Sequence, residues 1–256
     1  MPLNPFDLTG RVAIVTGGNG GLGLGMARGL ARAGADIVIA ARDETKGRAA
    51  VAELSALTRR CQFYALQVSS AASCRDMVER VMGDFGRCDI LVNNAGMNIR
   101  KLPEQLSEHE WREVIDTNLG GALFCAQAVH PHMKAAGRGK IVNIGSMYSV
   151  FGAPTVVAYS ASKGGLVQLT RSLACAWAPD NIQVNAILPG WLDTDLTRRA
   201  REQVDGLHEF VLSRTPAGRW GEPEDMAGAA VFLSSPAADF ITGTTLSVDG
   251  GYSARG

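Results

Sequence analysis

Short apolar runs alternate with longer helical patterns along the whole sequence, and this alternation limits the possible folds more than any other feature. Continuous apolar runs of this kind are typical of strands covered on both faces. Strand–helix alternation implies right-handed crossovers and a parallel, doubly wound sheet. The predicted strands are Val12–Thr16, Asp36–Ala40, Gln62–Gln67, Ile90–Asn93, Lys140–Ile144, Gln183–Leu188 and Thr244–Val248, and the predicted helices lie near 22–33, 43–57, 71–84, 107–136, 158–177 and 223–234.

The chain shows no division into separate units. No proline- or serine-rich linker interrupts it, and no repeat of fixed period is present. We therefore predict one α/β domain over residues 1–256, with about seven parallel strands and helices on both faces. The polar stretch 190–219 has no clear period, and we predict it to be an irregular insertion that covers the substrate.

Charge and cysteine content exclude several classes of protein. The 25 basic and 25 acidic residues balance, so neither nucleic acid nor a membrane surface is an expected partner. The five cysteines are scattered without a C-x-x-C pair, and the four histidines form no H-E-x-x-H motif. We predict reduced thiols and no metal site. The first residues lack a signal-peptide pattern, no apolar run is long enough to span a bilayer, and the expected location is the cytoplasm.

A glycine-rich turn follows the first strand directly. It fits two registers, Gly18-x-Gly20-x-x-Gly23 and Thr16-Gly17-x-x-x-Gly21-x-Gly23. Glycines there let the backbone approach a pyrophosphate, and free N–H groups at the start of the next helix favour the anion. This context is that of the Rossmann dinucleotide fold. A role in strand–helix packing alone remains the alternative.

The end of the second strand is where such folds distinguish the two dinucleotides. An acidic residue there binds the 2′-hydroxyl of NAD, whereas a basic residue suits the 2′-phosphate of NADP. The sequence continues from Ala40 and Ala41 into Arg42 and Asp43. Because a guanidinium can fork onto phosphate, NADP is favoured over NAD. An ion pair of Arg42 with Asp43 or Glu44 is the alternative.

Tyr159 and Lys163 stand four residues apart on the predicted helix 158–177 and share one face. An ammonium beside a phenol is expected to lower the phenol pKa, which makes the tyrosine useful as a general acid/base. Ser146 follows the fifth strand and should face the crevice at the carboxyl ends of the strands. The pair by itself is common on helix surfaces, and only the combination with the glycine-rich turn is specific.

From residue 8 to residue 252 the sequence resembles the short-chain dehydrogenase/reductase family. The motifs that carry the resemblance have the family's order and spacing: Thr16–Gly23, Asn93-Asn94-Ala95-Gly96, Asn118, Ser146, Tyr159-x-x-x-Lys163, Pro189-Gly190 with Thr194, and Asp249-Gly250-Gly251. The resemblance implies an NAD(P)-dependent oxidoreductase that interconverts a secondary alcohol and a ketone.

The resemblance also implies a role for each matching residue. Tyr159 would exchange the substrate proton, Lys163 would bind the nicotinamide ribose, and Ser146 would orient the carbonyl. Asn118 would hold a water that relays protons. The implied cofactor contacts, besides Tyr159 and Lys163, are Gly17, Asn19, Gly21, Leu22, Gly23, Arg42, Gln67, Val68, Asn94, Ala95, Gly96, Pro189, Gly190, Leu192 and Thr194.

One position departs from the family pattern. After the third strand the family usually carries an acid that contacts the adenine amino group, and this chain has Gln67 followed by Val68. A glutamine carbonyl can still accept that hydrogen bond. The departure puts adenine affinity at this position in doubt.

Three segments resemble the sugar-acid branch of the family, namely 97–101, 145–149 and 219–221. Arg100 would grip a substrate carboxylate there, although a surface role for this arginine is equally open. The expected substrate contacts are Arg100, Ser146, Tyr148, Tyr159 and Trp191, and His208 is a further candidate for shaping the pocket.

Other functions remain open at this point. A 3-oxoacyl-acyl-carrier-protein reductase would be expected to carry an arginine on the helix after the catalytic lysine. This chain has Leu173–Trp177 there. A non-catalytic NAD(P)H sensor would not need the proton relay, and a methyltransferase would leave Tyr159 and Lys163 without a role. Family members are commonly homotetramers, and we expect the same here.

Overall fold

The computed structural model describes residues 4–255, so that residues 1–3 and 256 of the predicted domain lie outside it. A seven-stranded sheet forms its centre, with every neighbouring pair of strands parallel and the order β3-β2-β1-β4-β5-β6-β7. The predicted doubly wound α/β fold is confirmed. The strands are β1 (Val12–Thr16), β2 (Asp36–Ala41), β3 (Cys61–Ala65), β4 (Ile90–Asn93), β5 (Gly139–Ile144), β6 (Ile182–Pro189) and β7 (Thr245–Val248).

Helices cover both faces of this sheet, as the crossovers between parallel strands require. They are α1 (Gly21–Arg32), α2 (Glu44–Leu54), α3 (Ala71–Phe85), α4 (Glu108–Ile115), α5 (Gly121–Ala135), α6 (Val157–Trp177), α7 (Asp195–Gln203), α8 (Leu207–Arg214) and α9 (Ala227–Ser234). No helix within residues 4–255 has the length and apolar character needed to cross a bilayer.

Two apolar cores lie on opposite faces of the sheet, and β1 contributes to both. Val12 and Ile14 pack into the core under α3, α5 and α6. Ala13 and Val15 pack into the core under α1, α2 and α9. Side chains of a strand alternate between faces, so that a continuous apolar run fills both cores.

Two glycines on α1 allow this helix to lie close to the segment that precedes α9. A Cβ atom at Gly25 would lie 2.3 Å from the carbonyl oxygen of Pro223, and one at Gly29 would lie 2.6 Å from the Cβ of Ala227. Both distances are shorter than real Cβ contacts. The close approach fixes the direction of α1, whose first residues border the candidate site.

The helix predicted over 107–136 is interrupted. A π-helical turn, Asp116–Gly120, separates α4 from α5. Such turns insert one extra residue into a helix and occur often at functional sites. Apolar periodicity does not report a single inserted residue, which explains why the sequence predicts one continuous helix.

The prediction of irregular structure over 190–219 is wrong for much of that stretch, which contains α7 and α8. The side chain of Thr194 caps α7 by accepting a hydrogen bond from the N–H of Thr197. The helix then runs through polar residues of good helix propensity, with Ala200 as its buried member. It lacks the apolar stripe by which amphipathic helices are predicted.

Candidate functional site

A cleft of about 650 Å³ lies at the carboxyl ends of the central strands. Its lining comes from the turn after β1, the ends of β2, β4, β5 and β6, the start of α6 and the residues that lead into α7. Ligands of doubly wound folds bind at this edge of the sheet. The volume is within the range of about 300–1,000 Å³ that is usual for small-molecule sites.

The glycine-rich turn forms one wall of the cleft. Gly17 and Gly21 have φ angles of 62° and 50°, a conformation that favours glycine. Asn94 holds the turn from the neighbouring strand, since its Nδ2 donates to the carbonyl oxygens of Thr16 and Gly17 at 3.0 and 3.1 Å. Asn94 also lines the cleft. Its position therefore suits the cofactor contact expected from the sequence and, in addition, support of the glycine-rich turn.

Gly23 serves packing and does not line the cleft. A Cβ atom at Gly23 would lie 2.4 Å from the carbonyl oxygen of Gly17 and 2.5 Å from Nδ2 of Asn94. A glycine here lets α1 begin directly against the turn. Gly23, the third glycine of the predicted motif, therefore supports the packing of α1 against the turn.

Two cationic side chains border the far end of the cleft, Arg42 after β2 and Lys46 in α2. The alternative ion pairs for Arg42 do not form: Asp43 caps α2 by accepting from the N–H of Lys46 at 3.0 Å, and Glu44 pairs with Arg48 at 2.6 Å. Among the residues that the structure describes, Arg42 has no ion-pair or hydrogen-bond partner. This end of the cleft suits an anionic group.

Gln67 does not line the cleft. Its side chain is exposed, and its Nε2 lies 3.4 Å from the hydroxyl of Ser69. Leu66 and Val68 line the cleft on either side of it. The structure thus offers apolar contacts at this wall, and the expected hydrogen bond from Gln67 to adenine is not supported by its position.

Ser146, Tyr159 and Lys163 meet at the other end of the cleft. Ser146 follows β5, is 7% exposed, and accepts from the N–H of Tyr148 at 3.1 Å. Lys163 is 4% exposed and donates to the carbonyl oxygen of Ile144 at 2.6 Å. Its Nζ lies 5.6 Å from the centre of the Tyr159 ring. These contacts hold a hydroxyl, a phenol and an amine at one place.

Burial dominates the pKa values of this group. It raises the pKa of Tyr159, while the hydrogen bond with Ser146 and the charge of Arg100 act in the opposite direction. Burial lowers the pKa of Lys163 to about 8. The expectation that the Tyr159 pKa is lowered beside Lys163 is therefore not met in this structure. The groups that favour the phenolate are Ser146 and Arg100.

Asn118 lies in the π-helical turn and is 2% exposed. Its Oδ1 accepts from the N–H of Met97 at 2.8 Å, and its Nδ2 donates to the carbonyl oxygen of Met97 and to the hydroxyl of Ser162. A Cβ atom at Gly96 would lie 3.2 Å from this Oδ1 and 3.6 Å from Nζ of Lys163. The amide of Asn118 and the amine of Lys163 thus both lie next to Gly96.

Arg100 extends the polar part of the site. Its segment is anchored where the N–H of Lys101 donates to the carbonyl oxygen of Thr155 at 3.1 Å, just before α6. The charge of Arg100 lowers the pKa of both Tyr148 and Tyr159, although burial raises both overall. Within residues 4–255 its guanidinium makes no ion pair. Arg100 is therefore a half-buried cation close to the reactive phenol, rather than a paired surface charge.

Aromatic rings connect this end of the cleft to α7 and α8. Tyr148 packs edge-on against Tyr159 and Trp191, with ring centres 6.3 and 6.2 Å apart. Trp191 in turn packs on Trp220 at 5.5 Å. His208 is exposed and accepts a hydrogen bond from Nε1 of Trp220 at 3.1 Å. His208 thus supports the aromatic cluster and does not line the cleft.

Most residues predicted from the sequence are brought together. All four predicted catalytic residues meet around the Tyr159 end, with Asn118 behind the lining, and the predicted cofactor contacts line the cleft except for Gly23 and Gln67. Several residues that line the cleft were not predicted from the sequence: Lys46, Leu66, Met97, Thr117, Ile144, Gly145 and the 195–197 turn of α7. Gly20 also lines the cleft, and although it belongs to the glycine-rich motif it was not among the predicted contacts.

The donor set of this cleft fits a nicotinamide dinucleotide. The glycine-rich turn and the start of α1 offer backbone N–H groups, and an added side chain at Gly20 would meet only open space. Cations stand at one end, and a phenol with an amine stands at the other. The elongated cleft therefore matches the two ends of such a molecule.

Comparisons with known proteins agree with this geometry. A family model described as "Enoyl-(Acyl carrier protein) reductase" matches residues 17–253. The 2-dehydro-3-deoxy-D-gluconate 5-dehydrogenase of Dickeya dadantii (strain 3937) is 43% identical over 100% of both chains. The gluconate 5-dehydrogenase of Gluconobacter oxydans (strain 621H) is 39% identical over 96% of each.

A solved structure supports the same conclusion. The crystal structure of a gluconate 5-dehydrogenase from Burkholderia cenocepacia J2315, in complex with NADP and tartrate, has a TM-score of 0.94 at 39% identity and covers 100% of both chains. The resemblance to the sugar-acid branch is thus confirmed in these relatives. By sequence over its full length and by structure, the chain belongs to the short-chain dehydrogenase/reductase family.

Proposed function

We propose that this protein is an NAD(P)-dependent oxidoreductase that interconverts a secondary alcohol and a ketone on a sugar acid. The observation that carries the proposal is the meeting of Ser146, Tyr159 and Lys163 at one end of a dinucleotide-sized cleft, with the unpaired guanidinium of Arg100 beside them. The three sugar-acid dehydrogenases described above, similar over nearly their whole length, support the same substrate class.

The proposed chemistry divides the work between cofactor and protein. A bound nicotinamide supplies or accepts the hydride. In the reductive direction, Tyr159 protonates the carbonyl oxygen, and Ser146 holds that oxygen by a hydrogen bond. The ammonium of Lys163 returns a proton to the Tyr159 phenolate. Asn118 lies beside Gly96, close to this ammonium, where it can extend the path of proton transfer. In the oxidative direction, the phenolate removes the hydroxyl proton.

The substrate carboxylate is assigned to Arg100. A half-buried guanidinium without a protein partner carries an uncompensated positive charge, and carboxylates bind such a group through two parallel hydrogen bonds. The segment 190–219, with α7 and α8, is proposed to cover that substrate.

Replacing Arg100 by Gln is expected to lower kcat/KM for sugar-acid substrates about 10- to 100-fold, since a hydrogen bond to a charged group contributes about 1.5–3 kcal/mol. Steady-state kinetics on a 5-ketogluconate would measure the loss. A ketone without a carboxylate should be reduced by wild type and variant alike. Arg112→Gln, which removes an exposed arginine paired with Glu108, serves as the control. An equal loss on the uncharged ketone would contradict a carboxylate role.

NADP is the preferred cofactor in this proposal. Arg42 and Lys46 both border the end of the cleft that would hold the adenosine ribose, and Arg42 is not neutralised by Asp43 or Glu44. The NADP complex of the similar Burkholderia enzyme supports the choice. A 2′-phosphate placed there would receive charge-assisted hydrogen bonds that a 2′-hydroxyl cannot match.

The variant Arg42→Gln should raise KM for NADPH about 10- to 100-fold and leave KM for NADH within about twofold. Arg48→Gln is a matched control, because Arg48 lies six residues further along, in α2, and pairs with Glu44. Fluorescence titration of the two reduced dinucleotides would check the same ratio without turnover. Equal losses for NADH and NADPH would show that Arg42 does not read the 2′-phosphate.

The whole function is tested by following nicotinamide absorbance across a panel of substrates. Ketogluconates, 2-dehydro-3-deoxygluconate and gluconate should be turned over, whereas acetoacetyl thioesters should not. The thioester arm tests the alternative of a 3-oxoacyl-acyl-carrier-protein reductase, because an acetoacetyl thioester carries the 3-keto group that such an enzyme reduces. Turnover of thioesters alone would replace the sugar-acid assignment while leaving the catalytic residues unchanged.

Self-association into a homotetramer in the cytoplasm completes the proposal. The strand β7 ends the sheet without a further partner in the described chain, and the neighbouring Phe240 is fully exposed. Open strand edges and exposed aromatic rings favour protein contacts. Sedimentation velocity should report about four times the 27.0 kDa chain mass. A single species at the chain mass would refute this part alone.

A further inference from the structure

A second cavity lies on the opposite edge of the sheet from the cofactor cleft. It has a volume of about 180 Å³ and opens where β4, β5 and β6 begin. We call it the basal pocket, and the polar residues that line it include Arg11, Asp89, Arg138, Lys140, Gln183, Ser234 and Asp239. Because β5 runs six residues from this pocket to the cleft, the two sites are about 15–20 Å apart. None of the residues of the basal pocket takes part in the proposed reaction.

Positive charge is in excess around the basal pocket. Asp89 receives hydrogen bonds from Arg87 at 2.6 and 2.7 Å and from Arg11 at 3.2 Å, and Arg138 stands 3.7 Å from the same carboxylate. The fourth cation, Lys140, pairs with Asp239 at 2.7 Å. Three cations of the pocket lining, together with Arg87 beside it, thus share two carboxylates, Asp89 and Asp239. Two positive charges remain uncompensated by the protein.

Arg138 is the cation whose bonding is least complete. Its guanidinium is beyond hydrogen-bond distance from Asp89, and it donates no side-chain hydrogen bond within residues 4–255. Its pKa is lowered by burial and by the charges of Arg11 and Arg87. Like charges crowded at a surface are costly unless an anion lies between them. The donors of Arg138 are therefore free for a ligand.

A buried hydroxyl independently indicates a ligand at the same place. Ser234 at the end of α9 lines the pocket, is 4% exposed, and its Oγ has no hydrogen-bond partner in the part of the chain that is described. A serine near a helix end can usually donate to a carbonyl of the preceding turn. Here the hydroxyl lacks such a partner, in a residue that lines the pocket together with Lys140 and Arg138.

We propose that the basal pocket binds a tetrahedral oxyanion of the size of phosphate. Arg11 approaches from the amino end of β1, Arg138 and Lys140 approach from the amino end of β5, and Ser234 belongs to α9 on one face of the sheet. Donors that converge from several directions suit a tetrahedral anion better than a planar carboxylate, which is bound in one plane. This site is separate from the proposed function and does not depend on it.

Isothermal titration calorimetry with inorganic phosphate, at constant ionic strength, tests the proposal on the full chain. Arg138→Gln should weaken binding about 10- to 100-fold, since it removes charge-assisted bonds, and Ser234→Ala about three- to tenfold. Arg75→Gln removes an exposed arginine of α3 outside the pocket and should change nothing. Absence of saturable binding, or equal weakening by Arg75→Gln, would overturn the proposal.

A second arm separates this site from the cofactor cleft, which also offers groups for phosphate. Arg42→Gln should retain phosphate binding, because Arg42 lies at the opposite edge of the sheet. Loss of binding in Arg42→Gln, with retention in Arg138→Gln, would assign the ion to the cleft and refute the basal site. A titration with glycerol 3-phosphate then distinguishes a free ion from a phosphomonoester, either of which supports the oxyanion assignment.

Discussion

Tyr159→Phe is expected to lower kcat about 10²- to 10⁴-fold, the usual contribution of a positioned general acid or base. The substitution removes one oxygen and keeps the ring, which packs edge-on against Tyr148. Binding of the reduced dinucleotide should change by less than about threefold, because backbone groups of the glycine-rich turn and Arg42 provide most of the proposed contacts. Single-turnover absorbance and a fluorescence titration measure the two quantities separately.

Tyr64→Phe is a suitable control for the loss of a phenol. The hydroxyl of Tyr64 hydrogen-bonds to Gln62 and Asp84, outside the cleft. This variant should lose some stability but keep kcat. Should Tyr159→Phe turn over at the wild-type rate, the assignment of the acid/base would have to move to another group, and the proposed mechanism would fail.

Lys163→Met is expected to abolish turnover and, at neutral pH, to stabilise the fold by about 1–3 kcal/mol. Burial lowers the pKa of Lys163 from 10.5 to about 8. Each pH unit between these values corresponds to about 1.4 kcal/mol, so that the buried ammonium costs about 3 kcal/mol below pH 8. Methionine fills similar space without a charge, although it gives up the hydrogen bond to Ile144.

The stability gained by Lys163→Met is expected to depend on pH. Below pH 8 the amine is charged in both the folded and the unfolded chain, and the full cost is present. Between pH 8 and 10.5 only the unfolded chain binds the proton, so the cost falls as pH rises. Urea unfolding of both proteins from pH 7 to 10.5 should therefore show a stability gain that disappears at the upper limit.

Lys134→Met provides the baseline for that series, because this lysine of α5 is 60% exposed. It should change the free energy of unfolding by less than about 0.5 kcal/mol. A Lys163→Met protein that is less stable than wild type at pH 7 would show that the ammonium is fully compensated in the folded state.

The sheet and its two cores follow from simple features of the sequence. Runs such as Val12–Thr16 must be covered on both faces, and alternation with helices then leaves a parallel sheet as the natural arrangement. The location of the ligand site, at the carboxyl ends of the strands, follows as well. This rule predicts that Ser146 and the glycine-rich turn lie at the cleft, as the structure shows. These inferences depend on chain geometry that local sequence controls.

Other parts of the site depend on tertiary contacts and could not be read from the sequence. The extra residue in the turn at Asn118 is stabilised by bonds to Met97 and Ser162, which are distant in the chain. Gln67, two residues after the edge strand β3, is exposed and does not line the cleft, whereas its neighbours Leu66 and Val68 do. The pKa of Tyr159 depends on burial and on Arg100, and no spacing in the sequence reports either.

The π-helical turn also constrains how this chain can change in length. Deleting one residue from Asp116–Gly120 would allow α4 and α5 to continue as one regular helix. Each residue of an α-helix turns by about 100°, so the deletion would rotate α4 relative to α5 and carry Asn118 away from Met97 and Ser162. The continuous helix would then leave the loop that carries Arg100 without the hydrogen bonds between Asn118 and Met97, which hold it near Lys163. A chain shortened by this one residue would keep its sheet and lose its catalytic activity.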